Sequence, residues 1–269
     1  MLPLQEGLVY GPVRSRRLGR SLGLNVFPRQ QKVCTFNCCY CQYGWTASPV
    51  GHGDTATQGP WPSPTAIARA AARALALLTA AGEPIDRLTL AGHGEPTIHP
   101  DFPAVVEALR GARDEAAPGV PLAVLSNAST LGLPGVRDAL DRLDERYMKL
   151  DAGDPALLRR VNAARVPLEA IVSGLAGLRD IVVQAMFVKD GTGRFDNSTD
   201  FAVSAWLGQL LAVRPRLVHV YSVERPTAWP YVHAVPAARL EEIANRARAA
   251  GLEAVAFAAP GRGAHGATA

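Results

Sequence analysis

"VCTFNCCYCQYGW", residues 33–45, holds all four cysteines of a 269-residue chain, Cys34, Cys38, Cys39 and Cys41, within eight consecutive positions. Cys34, Cys38 and Cys41 are spaced C-x3-C-x2-C, so one tight loop can turn three thiolates toward a common centre. Cysteine thiolates are the ligands of iron–sulfur clusters. Three ligands on a four-iron cluster leave one iron open, which distinguishes a reactive site from a closed structural one. Cys39 follows Cys38 directly, and neighbouring side chains of an extended chain point opposite ways. It therefore reads as a small buried apolar residue, not as a fourth ligand. A structural zinc site would need four ligands, usually as two separated pairs, and no other cysteine exists to form the second pair.

The rest of the chain is that of a folded protein. Hydrophobic residues make up 48% and charged residues 19%, well outside the disordered range. The net charge of +4 permits a phosphate-rich partner without requiring one. The start, "MLPLQEGLVYGPVRSRRLGR", contains no apolar stretch long enough for a signal peptide. The most apolar run, "IVSGLAGLRDIVVQAMFV", is interrupted by Arg179 and Asp180, which argues against a transmembrane helix. The expected compartment is the cytoplasm, where clustered cysteines act as metal ligands or catalytic thiols rather than disulfides.

Working outward from the cysteines, the pattern alternates between strand and helix. A helix is expected over 63–82, with Ile67, Ala71, Leu75 and Leu78 on one stripe and a Ser-Pro start. Apolar runs at 86–92, 121–129, 146–151, 180–189, 217–224 and 252–259 read as strands. Helices are expected near 101–115, 136–143, 155–179 (one or two), 200–214 and 236–250. About six strand–helix repeats imply a parallel sheet with helices outside it. A complete or partial β/α barrel and an open doubly wound sheet both satisfy this pattern. Residues 1–22 read as a short N-terminal extension carrying "RSRRLGR", 23–259 as the repeating domain and 260–269 as a loose tail.

The segment "CTFNCCYC" resembles the C-x3-C-x-aromatic-C signature of radical S-adenosylmethionine (radical SAM) enzymes, with Tyr40 in the aromatic position. "LAGHGEPTIHPDF" (90–102) is similar to the family's Gly-Gly-Glu-Pro segment, with His93 inserted between the glycines. "LSNAST" (125–130) resembles its ribose-binding strand end. "MKLDAGDPALLRRVN" (148–162), "VYSVERPT" (220–227) and the opening "YGPVRSRRLGRSLG" (10–23) look like segments of a small single-cluster subgroup, so the resemblance covers residues 9–257.

The resemblance implies an α/β fold, a partial (β/α)6 TIM-like barrel, holding one [4Fe-4S] cluster on Cys34, Cys38 and Cys41. It implies that SAM binds the open iron, and that reductive cleavage yields a 5'-deoxyadenosyl radical that takes hydrogen from a substrate. The cofactors carry the hard chemistry, and the protein orients them and excludes water. By the same resemblance, the backbone of Gly92, His93 and Gly94 and the carboxylate of Glu95 hold the methionine part of SAM. Ser126 and Asn127 meet its ribose, and Tyr40 lies near the adenine. Lys149 either pairs with the SAM carboxylate or makes an internal ion pair with Asp151 or Asp144. Glycyl-radical activating enzymes carry an Asp-x-Lys pair near this strand, which Lys149-Leu150-Asp151 matches only in reverse. Lys149, Asp151, Gln184 and Tyr221, with Lys189 and Glu224, lie on or just after barrel strands, where reactive groups of such folds gather, and are candidates for the catalytic and substrate pocket.

Similarity to the tRNA wyosine-base synthases is distant, because those enzymes carry extra cysteines for a second cluster and this chain has none. The resemblance leaves three readings: an enzyme acting on a small-molecule or nucleotide-derived substrate, an activase that makes a radical on a partner protein, and an iron–sulfur electron-transfer or sensor module. The first two need a reductant such as flavodoxin or ferredoxin. The arginines of "RSRRLGR" suit an acidic substrate, an RNA backbone, or ion pairs that pin the extension, and no aromatic platform for single-stranded nucleic acid is apparent.

Overall fold

A computed structural model describes residues 1–28, 31–47, 50 and 60–258. β1 (Val9–Ser15) and β2 (Gly19–Asn25) form an antiparallel hairpin. After the cysteine loop come α1 (Pro64–Ala80), β3 (Arg87–Ala91), α2 (Phe102–Ala116), β4 (Leu122–Ser126), α3 (Val136–Asp141) and β5 (Glu145–Lys149). They are followed by α4 (Pro155–Asn162), α5 (Leu168–Ala176), β6 (Ile181–Met186), β7 (Val188–Asp190), α6 (Asp200–Val213), β8 (Leu217–Tyr221), β9 (Val232–Ala234), α7 (Ala237–Ala249) and β10 (Ala254–Phe257). The main sheet has eight strands in the order β1-β2-β3-β4-β5-β6-β8-β10. Every neighbouring pair except β1–β2 is parallel. This is the partial barrel that the family resemblance implies, one of the arrangements that the alternation allows, with β1 added along one edge.

The strands are short apolar runs because both faces are covered. Outward residues such as Leu88, Leu90, Val124, Met148, Val183 and Val218 are fully buried beneath the helices. On α1, Ile67, Ala71 and Leu75 are buried as the stripe requires, while Leu78 is half-buried at its rim. The Ser63 hydroxyl caps α1 by accepting from Ala66 N at 3.2 Å. Inward residues alternate with these. Tyr147, Val182, Leu217, Leu18 and Ala123 form an apolar floor. Above it, Lys149, Gln184 and His219 lie opposite one another on β5, β6 and β8.

The expected strand at 180–189 breaks after Met186. The side chain of Asn197 donates to Met186 O and accepts from Val188 N at 2.6 Å, which ends the sheet ladder there. β7 then pairs with β9 in a separate two-stranded ribbon. The 155–179 stretch divides into α4 and α5 after Ala163, whose φ of 47° stops the first helix.

Residues 1–22, expected as an extension, supply β1 and the start of β2. Three arginines of "RSRRLGR" face the protein's own groups. Arg16 pairs with Glu224 and donates to Ala258 O, Arg20 pairs with Glu83, and Arg17 reaches the barrel interior. The hairpin thus bridges the two ends of the open sheet. The expected tail at 260–269 lies outside the described residues. No helix among the described residues is long and apolar enough to cross a membrane.

Candidate functional site

The cysteine loop lies over the carboxyl ends of the strands and is fastened by backbone contacts. Val33 bridges to Gly94, and Glu95 N donates to Val33 O at 3.1 Å. Asn37 N and Cys39 N donate to Asn162 O and Val161 O at the end of α4, both at 2.9 Å. Cys41 N returns to Cys38 O at 3.1 Å. Gly94 is required here, since a Cβ would stand 1.9 Å from Val33 O. Gly92 has φ +108°, and a side chain there would collide with Asn25 Oδ1, a buried oxygen with no hydrogen-bond partner.

Each of the three expected ligand sulfurs has a nitrogen donor beside it. Asn127 Nδ2 lies 3.7 Å from Cys34 Sγ, Asn162 Nδ2 lies 3.3 Å from Cys38 Sγ, and Lys32 Nζ lies 3.2 Å from Cys41 Sγ. Such donors favour the thiolate form and tune a bound metal centre. Burial, with Asp151 and Cys41 nearby, pushes the Cys38 thiol up to about 11 without a metal, and a cluster would replace that proton. Cys39 differs. It packs with Tyr40, Val161, Val188 and Phe195 in an apolar cluster. Among the described residues, no three His, Cys, Asp or Glu side chains converge on a single-ion site. His93 and His99, spaced H-x5-H, do not supply one, because each turns its nitrogens to backbone groups. A soft three-thiolate set, spread wider than one ion needs and backed by N–H donors, fits an iron–sulfur cluster.

The "GHGEP" turn and the end of β4 lock onto each other. Glu95 is buried and accepts from Asn127 N at 2.6 Å, Thr97 N at 3.2 Å, Thr97 Oγ1 at 2.6 Å and the Ser126 hydroxyl. Burial raises its pKa against the pull of these four bonds. They fill the acceptor capacity of a carboxylate, so Glu95 acts here as a clamp between β3 and β4. We expect Glu95→Gln, which turns an acceptor into a donor facing donors, to lower apo-protein stability by about 1–3 kcal/mol in urea unfolding.

Ser126 Oγ also accepts from Ala128 N at 3.1 Å, and Asn127 bridges Thr35 Oγ1 at 2.8 Å and Ser129 N at 3.0 Å. Both residues stand beside the cysteine loop, with their polar atoms engaged by the protein. His93 does not present a nitrogen to a cofactor. Its Nδ1 accepts from Gln5 N at 3.2 Å, which puts the proton on Nε2 against Pro28 O at 3.0 Å. Burial lowers its pKa, so a neutral imidazole pins the N-terminal residues to the turn.

Asp151 is the hub on the opposite side of the loop. It accepts from Tyr40 OH, from Asn162 Nδ2 at 2.7 Å and from Met186 N at 2.8 Å, and pairs with Lys149 Nζ at 3.1 Å. Of the alternatives for Lys149, the structure shows the pair with Asp151, while Asp144 pairs with Arg113. Burial opposes the Lys149 charge, but Asp151, Tyr221 and Cys38 outweigh it and raise its pKa. Lys149 also donates to Tyr221 OH at 3.1 Å. Gln184 takes a bond from Arg17, whose guanidinium carbon lies 3.7 Å above the Tyr221 ring. Lys149, Asp151, Gln184 and Tyr221 therefore come together. Lys189 lies exposed on β7, and Glu224 is held by Arg16. Asn162 and His219 join the site without a local sequence signal, and Arg17 joins it from the arginine-rich "RSRRLGR" segment. A cavity of about 740 Å³ lies on the outer side of the loop, between Trp45, Arg160, Arg194, Phe195 and Trp229, with Cys39 in its wall.

Comparison with known proteins agrees with this geometry. Residues 30–192 match the Radical SAM superfamily. The chain is 28% identical over 232 residues to UPF0026 protein MJ1312 of Methanocaldococcus jannaschii, covering 84% of this chain and 66% of that protein, just under two thirds of its length. It is 31% identical over 225 residues to UPF0026 protein slr1464 of Synechocystis sp., covering 81% of this chain and 76% of that one. Among solved structures, a radical SAM methyltransferase from Sphaerobacter thermophilus superposes with a TM-score of 0.62 at 13% identity, over 90% of this chain and 67% of that one, a likeness of fold. With three thiols at the mouth of a partial barrel and a match over most of its length, the chain belongs to the radical SAM superfamily and, within it, to the UPF0026 proteins.

Proposed function

We propose that this protein acts on a small-molecule or nucleotide-derived substrate received in the barrel beneath the cysteine loop. As a radical SAM enzyme it uses a [4Fe-4S] cluster and SAM. When bound, these supply one-electron cleavage of a carbon–sulfur bond and radical hydrogen abstraction. Cys34, Cys38 and Cys41 would hold the cluster. The backbone of Gly92–Gly94 and the orphan Asn25 Oδ1 would meet the methionine part of SAM, and Ser126 and Asn127 would lie along its ribose. The reading is carried by one observation: three loop thiols, each with its own nitrogen donor, facing a polar barrel interior. Its test is anaerobic. The protein is reconstituted with iron and sulfide, reduced and given SAM, and 5'-deoxyadenosine is measured. A reducible four-iron cluster that neither binds nor cleaves SAM would sink it.

The same reading requires an electron donor. The cavity behind Cys39 is rimmed by the exposed guanidinium groups of Arg160 and Arg194 beside Trp229 and Trp45, complementary to an acidic carrier of the flavodoxin or ferredoxin type. Reversing both charges, Arg160→Glu with Arg194→Glu, should slow reduction by flavodoxin by about tenfold or more at low salt. Reduction by dithionite should keep its rate. Stopped-flow absorbance of the cluster measures both, and equal rates with flavodoxin would place the donor elsewhere.

A further inference from the structure

We propose that the barrel interior beneath the cysteine loop is a receptor for an anionic group of the substrate, a carboxylate or a phosphate, built by Arg17, Gln184, His219 and Tyr221. Calling the ligand a substrate rests on the reading above, but the receptor itself does not.

Lys149, Gln184 and His219 lie opposite one another on three parallel strands and share the inward face. Arg17 enters this layer from the β1–β2 hairpin and donates to Gln184 Oε1. Four neighbouring cations have carboxylates: Arg16 has Glu224, Arg20 has Glu83, Arg87 has Glu145 and Lys149 has Asp151. Among the described residues, neither Arg17 nor Arg216, both of which act electrostatically on His219, makes an ion pair, so the layer carries an excess of positive charge.

The remaining polar atoms point the same way. Gln184 is 3% exposed, and with Oε1 taken by Arg17 its Nε2 has no partner. His219 is 4% exposed between the rings of Tyr147 and Phe257, and its Nδ1 has no partner. Tyr221 oxygen accepts from Lys149, which leaves its own proton free to donate. Buried polar atoms without partners are rare and call for a water, an ion or a ligand. Here the free groups are donors around a guanidinium, with an imidazole that can donate through either nitrogen. Burial and the nearby arginines Arg17, Arg216 and Arg87 keep that imidazole neutral, its pKa pushed down to about 4. A ligand with several acceptor atoms and negative charge satisfies all of them, whereas a cation is repelled by Arg17 and leaves the Gln184 amide without an acceptor. The row lies two residues below Asp151 and Met186, about 7 Å at the usual strand rise. The anion would therefore sit deep, with the rest of the molecule extending toward Tyr40 and Cys38.

The experiment is calorimetric titration of the reconstituted full chain with inorganic phosphate and, separately, with malonate. We expect one-site binding of at least one anion. Arg17→Gln should weaken it about ten- to hundredfold, Arg17→Lys should restore part of the loss, and Gln184→Leu should weaken it independently. Phosphate binding alone assigns a phosphate-bearing substrate, and malonate binding alone a carboxylate. The proposal is overturned if folded wild type binds neither anion, or if binding is unchanged in Arg17→Gln and Gln184→Leu. Should Arg17→Gln fail to fold, Gln184→Leu decides. Assay of 5'-deoxyadenosine on the same wild-type preparation separates the two ideas. SAM cleavage without anion binding removes the receptor alone, while anion binding without SAM cleavage leaves the receptor and removes the radical reading.

Discussion

Cys38→Ala should abolish reduction-dependent formation of 5'-deoxyadenosine and leave the chain unable to retain a four-iron cluster, whereas Cys39→Ala should retain about as much iron per chain as wild type. Two adjacent cysteines thus separate completely in one assay. The reason lies in what surrounds each sulfur. Cys38 Sγ has the Asn162 amide at 3.3 Å and is coupled electrostatically to Cys41 and Lys149. Cys39 has Val161, Val188 and Phe195 around it. Its backbone still fixes the loop, through Cys39 N to Val161 O and Trp229 N to Cys39 O at 2.8 Å, and an alanine preserves both bonds. Losing one buried sulfur from that apolar cluster should lower stability by about 1 kcal/mol. Iron and sulfide analysis with ultraviolet–visible and paramagnetic resonance spectra of both variants decides it. Loss of the cluster from Cys39→Ala would show a closed, four-thiolate site and favour an electron-transfer or sensor role.

How much of this was legible before the structure depends on the range of the interaction concerned. The barrel strands were legible because burial on both faces writes itself as a local apolar run, and the ligand loop because its spacing is local. The first strand was not. "VYGPVRS" carries Gly11 and Pro12 and is only half-buried, so neither alternation nor a continuous apolar run marks it. His219 carries no signal for a different reason, whereas Arg17 stands in the arginine-rich "RSRRLGR" segment and only its place in the barrel was hidden. In "LVHVY" one histidine interrupts an otherwise ordinary buried strand, and only the registers across β5, β6 and β8 set it beside Gln184. His93 drew attention because it sits inside a ligand-binding motif, yet its nitrogens serve the chain's own backbone. Asn162 reads as the end of a helix, and it is the packing of the cysteine loop on the end of α4 that places it beside Cys38. Local chemistry was visible in the sequence, and side chains brought together by closure of the sheet were not.

Asp151→Ala should destabilise the apo-protein by about 3–5 kcal/mol, the largest loss expected from any single substitution around the site. The side chain of Asp151 is 1% exposed and that of Lys149 is 20% exposed. Removing the carboxylate strands a largely buried ammonium and takes the acceptor from Tyr40 OH, Asn162 Nδ2 and Met186 N at once. Asp151→Asn keeps one acceptor oxygen and the shape, and should fall between wild type and Asp151→Ala. The ion pair itself is a separate matter. A buried pair returns little net stability once desolvation is counted, while breaking it on one side is costly. Lys149→Met combined with Asp151→Ala should therefore recover part of the single-variant loss, giving a non-additive cycle, as expected for residues in contact. Urea unfolding of the four proteins, followed by circular dichroism, measures the coupling. Strict additivity would mean that Lys149 reaches solvent when its partner is gone, and that Asp151 serves the loop through Tyr40 and Asn162 alone.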